Sequence, residues 1–332
     1  MFCGFVAMAR IKIIDTFASR MALQCSSRLA SLSFHGAVTP SRPCIIMTSP
    51  EDKPIQIDLA AIVRQRLGSK ARFIPRMLVR KLEHTICQED LNRLLRDNFP
   101  RRGADFCRGV FHDLGVTVNV EDENLLPPHS QRRVIICSNH PLGGLDGMAL
   151  IDFFQRRYGG KIYFLVNDPL MAVEPLSDVF LPINKHGSQS RDSIRRIDEV
   201  LEGNDPVLIF PAGLCSRRGP GKNIRDLDWK KMFVVKAIQY QRDIIPVYFD
   251  GRNSDFFYNF ARWRKRSGLK FNVEMIYLPR EVFRSKGKTF TIHCLPPIHW
   301  QQLGPVSRAS ETAQNIKQRV YDAAACTSPY SR

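Results

Sequence analysis

The chain has 332 residues, of which 44% are hydrophobic, so it can bury an ordinary globular core in one large domain or two small ones. Its formal charge of +17 favours an anionic partner: a nucleic acid, an acidic membrane face or a phosphorylated substrate. No apolar run reaches the roughly 18 residues of a membrane-spanning helix, so any membrane contact is expected to be peripheral. The nine cysteines are scattered, which predicts reduced thiols and neither a disulfide framework nor a metal site.

The first 46 residues differ from the rest in composition. They contain five Lys or Arg residues against one acid, Asp15, and they show no hydrophobic period. Because Arg10 and Lys12 interrupt the apolar start, this segment is a poor secretory signal. A transit peptide, a basic arm and an extension upstream of a true start at Met47 all remain open. We expect residues 1–46 to form a poorly ordered basic extension.

A helical pattern follows the extension. Asp58 can cap a first helix, and Pro75 can open a second. Residues 60–82 contain seven Lys or Arg and no acid. This pattern is typical of a solvated basic face, and alternatively of a helix that lies on anionic lipid. The sequence therefore predicts an N-terminal helical region over residues 47–125.

Beyond that region, short apolar runs alternate with helical segments. This alternation predicts an α/β domain over residues 126–325, with a mostly parallel central sheet flanked by helices. The predicted strands are Val134–Cys137, Ile162–Val166, Val179–Ile183, Val207–Phe210, Ile244–Phe249, Val273–Tyr277 and Phe290–Cys294. The predicted helices are Gly147–Tyr158, Ser188–Glu202 and Asp228–Gln241.

The most informative motif is the run Ser138–Gly147, which follows the first of these strands. His140 at a strand end and Asp146 a few residues later form the arrangement of a general base. The imidazole takes a proton near neutral pH, and the carboxylate fixes its tautomer. Alternatively, Asp146 only caps the following helix. Gly143 and Gly144 allow a backbone or a ligand to approach closely.

Two further clusters follow predicted strands, where ligands of such sheets bind. One is Phe210–Gly213, followed by Ser216, Arg217 and Arg218, and the planar fork of arginine suits phosphate. The other contains Lys185. The first cluster alone is equally compatible with a solvated loop, and the second alone is a weak indication of a site.

Together these motifs resemble the glycerolipid acyltransferase family, which includes 1-acyl-glycerol-3-phosphate acyltransferases, and in particular a bacterial, hemolysin-like subgroup. Four family blocks occur in order: Asn139-His140…Asp146, Phe180–Lys185, Phe210–Arg217 and Ile244–Val247. The chain departs from the family in three ways. One extra residue separates His140 from Asp146, Ala212 replaces a Glu, and Lys185 replaces an Arg.

The resemblance implies a fold like that of glycerol-3-phosphate acyltransferases. It also implies transfer of a fatty acyl group from acyl-CoA or acyl carrier protein to the hydroxyl of a lysolipid of the 1-acyl-glycerol-3-phosphate type, in phospholipid biosynthesis. His140 would be the base and Asp146 its partner, and no cofactor or metal is implied. Backbone N–H groups of the Gly143–Gly144 turn or near Gly213 would stabilise the oxyanion. Substrate-binding roles are implied for Asn139, Gly143, Gly144, Lys185, Gly213, Ser216, Arg217 and Arg218. The expected location is cytoplasmic, on the inner face of the cytoplasmic membrane.

Three alternatives remain. Ala212 favours another acceptor, a monoacylated glycine or ornithine lipid. The extra residue between His140 and Asp146 favours a non-catalytic lipid-binding relative. A nucleic-acid-binding protein is disfavoured because the charge is spread along the chain and no recognition motif is present. A covalent intermediate on Cys215 is a minor variant of the mechanism.

An aromatic and basic segment follows the four blocks. Phe256, Phe260 and Trp263 have helical spacing, and Arg262–Arg266 is strongly basic. The aromatic side chains either pack on the sheet or contact an anionic membrane surface.

Overall fold

The computed structural model describes residues 54–167, 173–183, 189–219, 223–269 and 272–327. Its centre is a seven-stranded sheet with the order β1-β9-β8-β2-β5-β3-β4. The strands are β1 Thr117–Glu121, β2 Val134–Ser138, β3 Tyr163–Asn167, β4 Phe180–Ile183, β5 Val207–Ile209, β8 Asp243–Asp250 and β9 Thr289–Cys294. A separate hairpin pairs β6 Arg217–Arg218 with β7 Ile224–Arg225. Because the β8–β9 pairing is the only antiparallel one among the described strands of the seven-stranded sheet, the predicted α/β fold with a mostly parallel sheet is confirmed.

Helices cover both faces of the sheet. They are α1 Leu59–Leu67, α2 Arg76–Thr85, α3 Gln88–Asp97, α4 Gly103–Leu114, α5 Leu145–Tyr158, α6 Gln189–Glu202, α7 Met232–Gln239, α8 Asp255–Arg266, α9 Leu278–Phe283 and α10 Ala309–Thr327. One core cluster contains residues of α1, α3, α4 and α5, and the other contains residues of α6, α7 and α10. In the part of the chain that is described, no helix is both long enough and apolar enough to cross a membrane.

Strand β2 shows why the sheet has two cores. Val134 and Ile136 belong to one cluster, and Ile135 and Cys137 belong to the other. Side chains of a strand alternate between faces, so a strand covered on both faces is apolar throughout. The carboxyl end of this strand delivers the chain to His140, between the neighbouring strands β5 and β8.

One predicted strand is wrong. Val273–Tyr277 forms a 3₁₀-helix that leads directly into α9. Its Glu274 is fully buried and pairs with Arg217 and Arg264 instead of alternating across a sheet. A short apolar run cannot distinguish a strand from a helical segment by its period alone.

One strand lies where the sequence predicted helices. The edge strand β1 is within the region 47–125, so this region is not helical throughout and the sheet begins before residue 126. Only Val118 and Val120 of β1 pack against the core, and the polar residues between them are exposed. Two apolar side chains give too weak a period to predict a strand. The extension 1–46 lies outside the described residues.

Candidate active site

The loop after β2 brings His140 and Asp146 together. The imidazole Nδ1 lies 2.9 Å from Asp146 Oδ2, in the first turn of α5. The loop reverses at Gly143, whose φ of 75° is in the left-handed region that favours glycine. The additional residue in this loop therefore does not prevent the pair from forming.

Asp146 is fully buried and its carboxylate has many donors. Its two oxygens accept backbone N–H bonds of 2.9–3.2 Å from Leu142, Gly143, Gly144 and Gly147. Burial raises the pKa of Asp146, but the contacts with His140 and these amides outweigh burial, so the net pKa is lowered. Asp146 thus stays ionised, and it both orients His140 and binds the first turn of α5.

Three of the amides expected near the oxyanion have partners inside the protein. The N–H groups of Gly143 and Gly144 are directed at Asp146, and the N–H of Gly213 donates to Phe210 O at 3.0 Å. An N–H group that is already paired inside the protein is a poor donor to a developing oxyanion. These pairings disfavour the three glycine amides, and an oxyanion donor near Gly213 stays a prediction.

Gly143 has a second structural role. A Cβ atom at this position would lie 2.5 Å from Cys215 Sγ and 2.6 Å from Leu278 Cδ1. The close approach that the sequence predicted is thus made by two side chains, one from the segment just before β6 and one from α9. The same contact buries Cys215, and burial raises the pKa of its thiol to about 12. A thiol so rarely ionised is a poor nucleophile, which disfavours a covalent intermediate.

The His140 ring is supported from one side. It stacks on the ring of Phe210, with centroids 3.9 Å apart and an interplanar angle of 19°. Its side chain is 14% exposed. Since Nδ1 is bound to Asp146, Nε2 is the nitrogen that can exchange a proton with a substrate.

Asn139 and Ser216 have partners inside the protein. The Asn139 side chain bonds both backbone groups of Phe249, at 3.0 and 2.6 Å, and so joins β2 to β8. Ser216 is 1% exposed, and its Oγ donates to Asp226 Oδ1 at 2.6 Å. Both side chains are buried and paired and so have a structural role, whereas their role in substrate binding stays a prediction.

The two arginines after β5 also pair within the protein. Arg217 donates to the buried Glu274 at 3.0 Å, and Arg218 donates to Asp255 and Asn259 of α8. Their side chains are only 15% and 14% exposed. They hold α8 against the β6–β7 hairpin, and their binding of an anionic head group stays a prediction.

Comparison with known proteins shows the family of the chain. A family model described as acyltransferase matches residues 61–326. The chain belongs to the glycerolipid acyltransferase family. This acyltransferase is 41% identical to the lyso-glycine lipid O-acyltransferase of Phocaeicola vulgatus over 271 residues, which are 82% of this chain and 96% of that protein. It is 40% identical to the lyso-glycine lipid O-acyltransferase of Bacteroides thetaiotaomicron, over 82% of this chain and 98% of that protein.

A solved structure is also similar. The crystal structure of the 1-acyl-sn-glycerophosphate acyltransferase of Thermotoga maritima covers 74% of this chain and 95% of its own, with 13% identity and a TM-score of 0.41. The family assignment confirms the resemblance seen in the sequence and shows that the protein is an enzyme.

Two charged residues of the acyltransferase site were missed by the sequence analysis. Asp226 contacts the backbone of His140, and Lys230 Nζ lies 3.2 Å from where a Gly213 Cβ would be. Neither belongs to a motif, because Asp226 is brought to the site by the β6–β7 hairpin and the backbone N–H of Lys230 donates to Pro211 O at 3.1 Å. The predicted Lys185 lies outside the described residues. Among the residues described, no group of three or more His, Cys, Asp or Glu could hold a metal ion.

Helix α8 presents its aromatic residues on two sides. Phe257 and Tyr258 are buried against the acyltransferase core, whereas Phe256 is 42% and Trp263 is 58% exposed. Phe260 stacks on both exposed rings, at 5.9 and 5.8 Å. Tyr277 meets Phe256 and Phe260 edge-on. We call Phe256, Phe260, Trp263 and Tyr277 the aromatic surface of α8. Its contact with a membrane stays a prediction.

Proposed function

We propose that the enzyme transfers a fatty acyl group from a thioester, acyl-CoA or acyl carrier protein, to the hydroxyl of a lysolipid, and that this acceptor is a monoacylated glycine lipid. The His140–Asp146 pair is the observation that supports the chemistry. The two relatives described above support the acceptor, because both are named for lyso-glycine lipid. The sequence left several acceptors open, and the names of these relatives favour a monoacylated glycine lipid over 1-acyl-glycerol-3-phosphate.

In the proposed mechanism, the acceptor hydroxyl attacks the thioester carbonyl while His140 Nε2 takes its proton. Asp146 stabilises the imidazolium that forms. The tetrahedral intermediate then collapses, the C–S bond breaks, and the leaving thiolate receives the proton from His140. The products are an ester and a free thiol, and the enzyme returns to its starting state. Positioned general-base catalysis of this kind contributes about 10²- to 10⁴-fold.

The arginine pairs support an acceptor without phosphate. A glycine that is acylated on nitrogen by a hydroxylated fatty acid keeps one carboxylate, has no phosphate group, and offers the hydroxyl of its acyl chain as the acceptor. Arg217 and Arg218, the two arginines expected to bind phosphate, are paired with Glu274 and Asp255 instead. Ala212, which replaces the family's Glu, is 4% exposed within an apolar cluster. A single cation suffices for a single carboxylate, and Lys230, next to the Gly213 turn, is our candidate for it.

The aromatic surface of α8 is the proposed contact with the membrane that contains the acceptor. Its stacked, exposed rings lie beside the exposed basic residues Arg262, Lys265 and Arg266. Such a pairing places rings at head-group depth and cations on anionic lipid. Asn253, just before α8, donates to the backbone oxygens of Pro141 and Leu142 in the His140 loop. The lipid surface would therefore be presented next to the base.

An acyl-transfer assay with the purified full chain tests the proposed function. Labelled acyl-CoA and acyl carrier protein are each offered with monoacylated glycine lipid, monoacylated ornithine lipid and lysophosphatidate. We expect transfer to the glycine lipid, with a loss of at least about 100-fold in His140→Ala. His299→Ala is the matched control, since His299 pairs with Asp243 away from the site and is 65% exposed. Transfer to lysophosphatidate alone would refute the proposal that the acceptor is a glycine lipid. No transfer with any combination of donor and acceptor would refute the proposed function.

A further inference from the structure

Asp226 is a second buried carboxylate that contacts His140. It lies directly after β7 and is 5% exposed. Its Oδ1 accepts the backbone N–H of His140 at 3.2 Å and the hydroxyl of Ser216 at 2.6 Å. Its Oδ2 accepts Trp229 Nε1 at 2.9 Å. Both carboxylate oxygens are thus satisfied, and one of them is bound to the main chain of the proposed base.

The His140 peptide is held from its other end by the same network. The backbone N–H of Ser216 donates to His140 O at 2.8 Å. The register of the hairpin, in which Arg217 pairs with Arg225, places Ser216 and Asp226 opposite each other at its open end. Ser216 and Asp226 therefore bind the carbonyl and the N–H of one residue, and are joined to each other by a hydrogen bond.

We propose that Asp226 is a positioning residue for His140, and that it fixes the main chain of the base as Asp146 fixes its ring. This inference rests on the proposed function, in which His140 exchanges the proton. A base works only when its nitrogen is held close to the attacking hydroxyl, and a displacement of about 1 Å can cost about 100-fold in rate. A ring anchored only through Nδ1 could still move together with its peptide.

The anchor of Asp226 comes from distant parts of the chain. The backbone N–H of Asp226 donates to Tyr321 Oη of α10 at 2.8 Å. Burial raises the pKa of Asp226, while the bonds from Ser216 and Trp229 oppose that rise. A buried carboxylate is costly unless it is fully hydrogen-bonded, so an apolar residue would serve packing alone at lower cost. The carboxylate of Asp226 accepts three donors: the hydroxyl of Ser216, the indole N–H of Trp229 and the backbone N–H of His140. The last of these belongs to the proposed base.

The test combines kinetics with a spectroscopic measurement of the hydrogen bond itself. In the full-length protein labelled with ¹⁵N-histidine, the His140 amide signal is assigned by its absence from His140→Ala. A hydrogen bond to a carboxylate is stronger than one to a neutral amide. In Asp226→Asn we therefore expect the His140 amide proton to move upfield. With the acyl donor and acceptor that the wild type uses, we expect kcat to fall by about tenfold to 100-fold with KM nearly unchanged.

The matched control is Asp243→Asn. This carboxylate also binds a histidine, His299, and a backbone N–H, that of Trp300, but it lies at the amino end of β8. It should leave the His140 signal and kcat unchanged. If Asp226→Asn does not fold, Tyr321→Phe removes the acceptor of the Asp226 N–H and is expected to shift the same signal by less.

Each outcome is decisive. An unchanged His140 amide in a folded Asp226→Asn protein overturns the inference, and so does an unchanged kcat in an active enzyme. If Asp243→Asn changes the His140 amide signal and kcat as much as Asp226→Asn does, the inference is also overturned. The effect would then come from the loss of any hydrogen-bonded carboxylate and not from the contact with His140. If the wild type transfers no acyl group to any acceptor, the proposed function fails, and the amide shift alone decides whether Asp226 holds His140.

Discussion

The His140 loop and helix α8 are neighbouring regions that differ in how far their side chains are buried and paired. In the loop, the polar groups find partners inside the protein: Asp146 alone accepts four backbone N–H groups and the His140 ring. On α8, three aromatic rings pair only with aromatic rings, and two of them are about half exposed. The loop is therefore built to stay in place, whereas α8 leaves apolar surface to be covered.

In the proposed function, the two regions meet two different requirements. A base requires a fixed geometry, which buried and fully paired polar groups supply. A surface that associates reversibly with a membrane needs exposed rings and cations and no fixed partner. Asn253, just before α8, donates to the backbone oxygens of Pro141 and Leu142, so hydrogen bonds join the start of α8 to the His140 loop.

The largest effect is expected for Asp146→Asn. An amide presents N–H groups where the carboxylate accepts donors, so the His140 tautomer and the loop would both be perturbed. Transfer should fall by about 10²- to 10⁴-fold in single-turnover measurements at saturating acceptor. Since the pKa of Asp146 is lowered on folding, the stability it adds is present above the ordinary carboxylate range and is lost as pH falls through the lowered pKa. A wild-type rate in this variant would show that the loop is not the catalytic centre.

Gly143→Ala is expected to lower the free energy of unfolding by about 2–4 kcal/mol, because the new Cβ would overlap Cys215 and Leu278 at a positive φ. Gly287→Ala is the control, because Gly287 has a similar φ of 72° and no atom within 4 Å of its added Cβ. Urea unfolding measures the free energy of unfolding of both variants. The loss in Gly287→Ala reports backbone strain alone, and the additional loss in Gly143→Ala reports the steric overlap. Equal losses would mean that the loop is not tightly packed.

The aromatic surface is tested by replacing Phe256, Phe260 and Trp263 with Ser. We expect binding to anionic vesicles to weaken by about tenfold to 100-fold while the fold is kept, because these rings pack chiefly on one another. Vesicle co-sedimentation measures the loss. Ile194→Ser with Val306→Ser is the control, since these side chains are about half exposed elsewhere. Unchanged vesicle binding by the folded triple variant would contradict the proposed membrane contact.

The smallest effect is expected for Lys230→Met, which keeps the length of the side chain and removes its charge. KM for monoacylated glycine lipid should rise by about two- to fivefold with little change in kcat, the value of one exposed ionic contact with the acceptor. Steady-state kinetics with the full chain measure it, and Lys231→Met is the neighbouring control. An unchanged KM would exclude Lys230 as the carboxylate contact.

Much of the fold and the pair at its centre were predictable from the sequence. Strand β2 is apolar throughout because both of its faces are covered, and local pattern suffices to detect such a strand. His140 and Asp146 lie in one loop, so their contact needs only a turn. The strand β1 and the 3₁₀-helix Val273–Tyr277 were not predictable, because their few apolar residues fit more than one period.

The sequence by itself determined the α/β class, the family and the His140–Asp146 pair, because these depend on short-range order along the chain. Only the tertiary structure decided which polar groups are already occupied. Arg217 binds Glu274, Asn139 binds the backbone of Phe249, and Asp226 reaches His140 through the hairpin. The physical reason is that hydrogen-bond satisfaction is settled by distant segments once the sheet has formed, and residue type alone does not reveal whether a donor is still available.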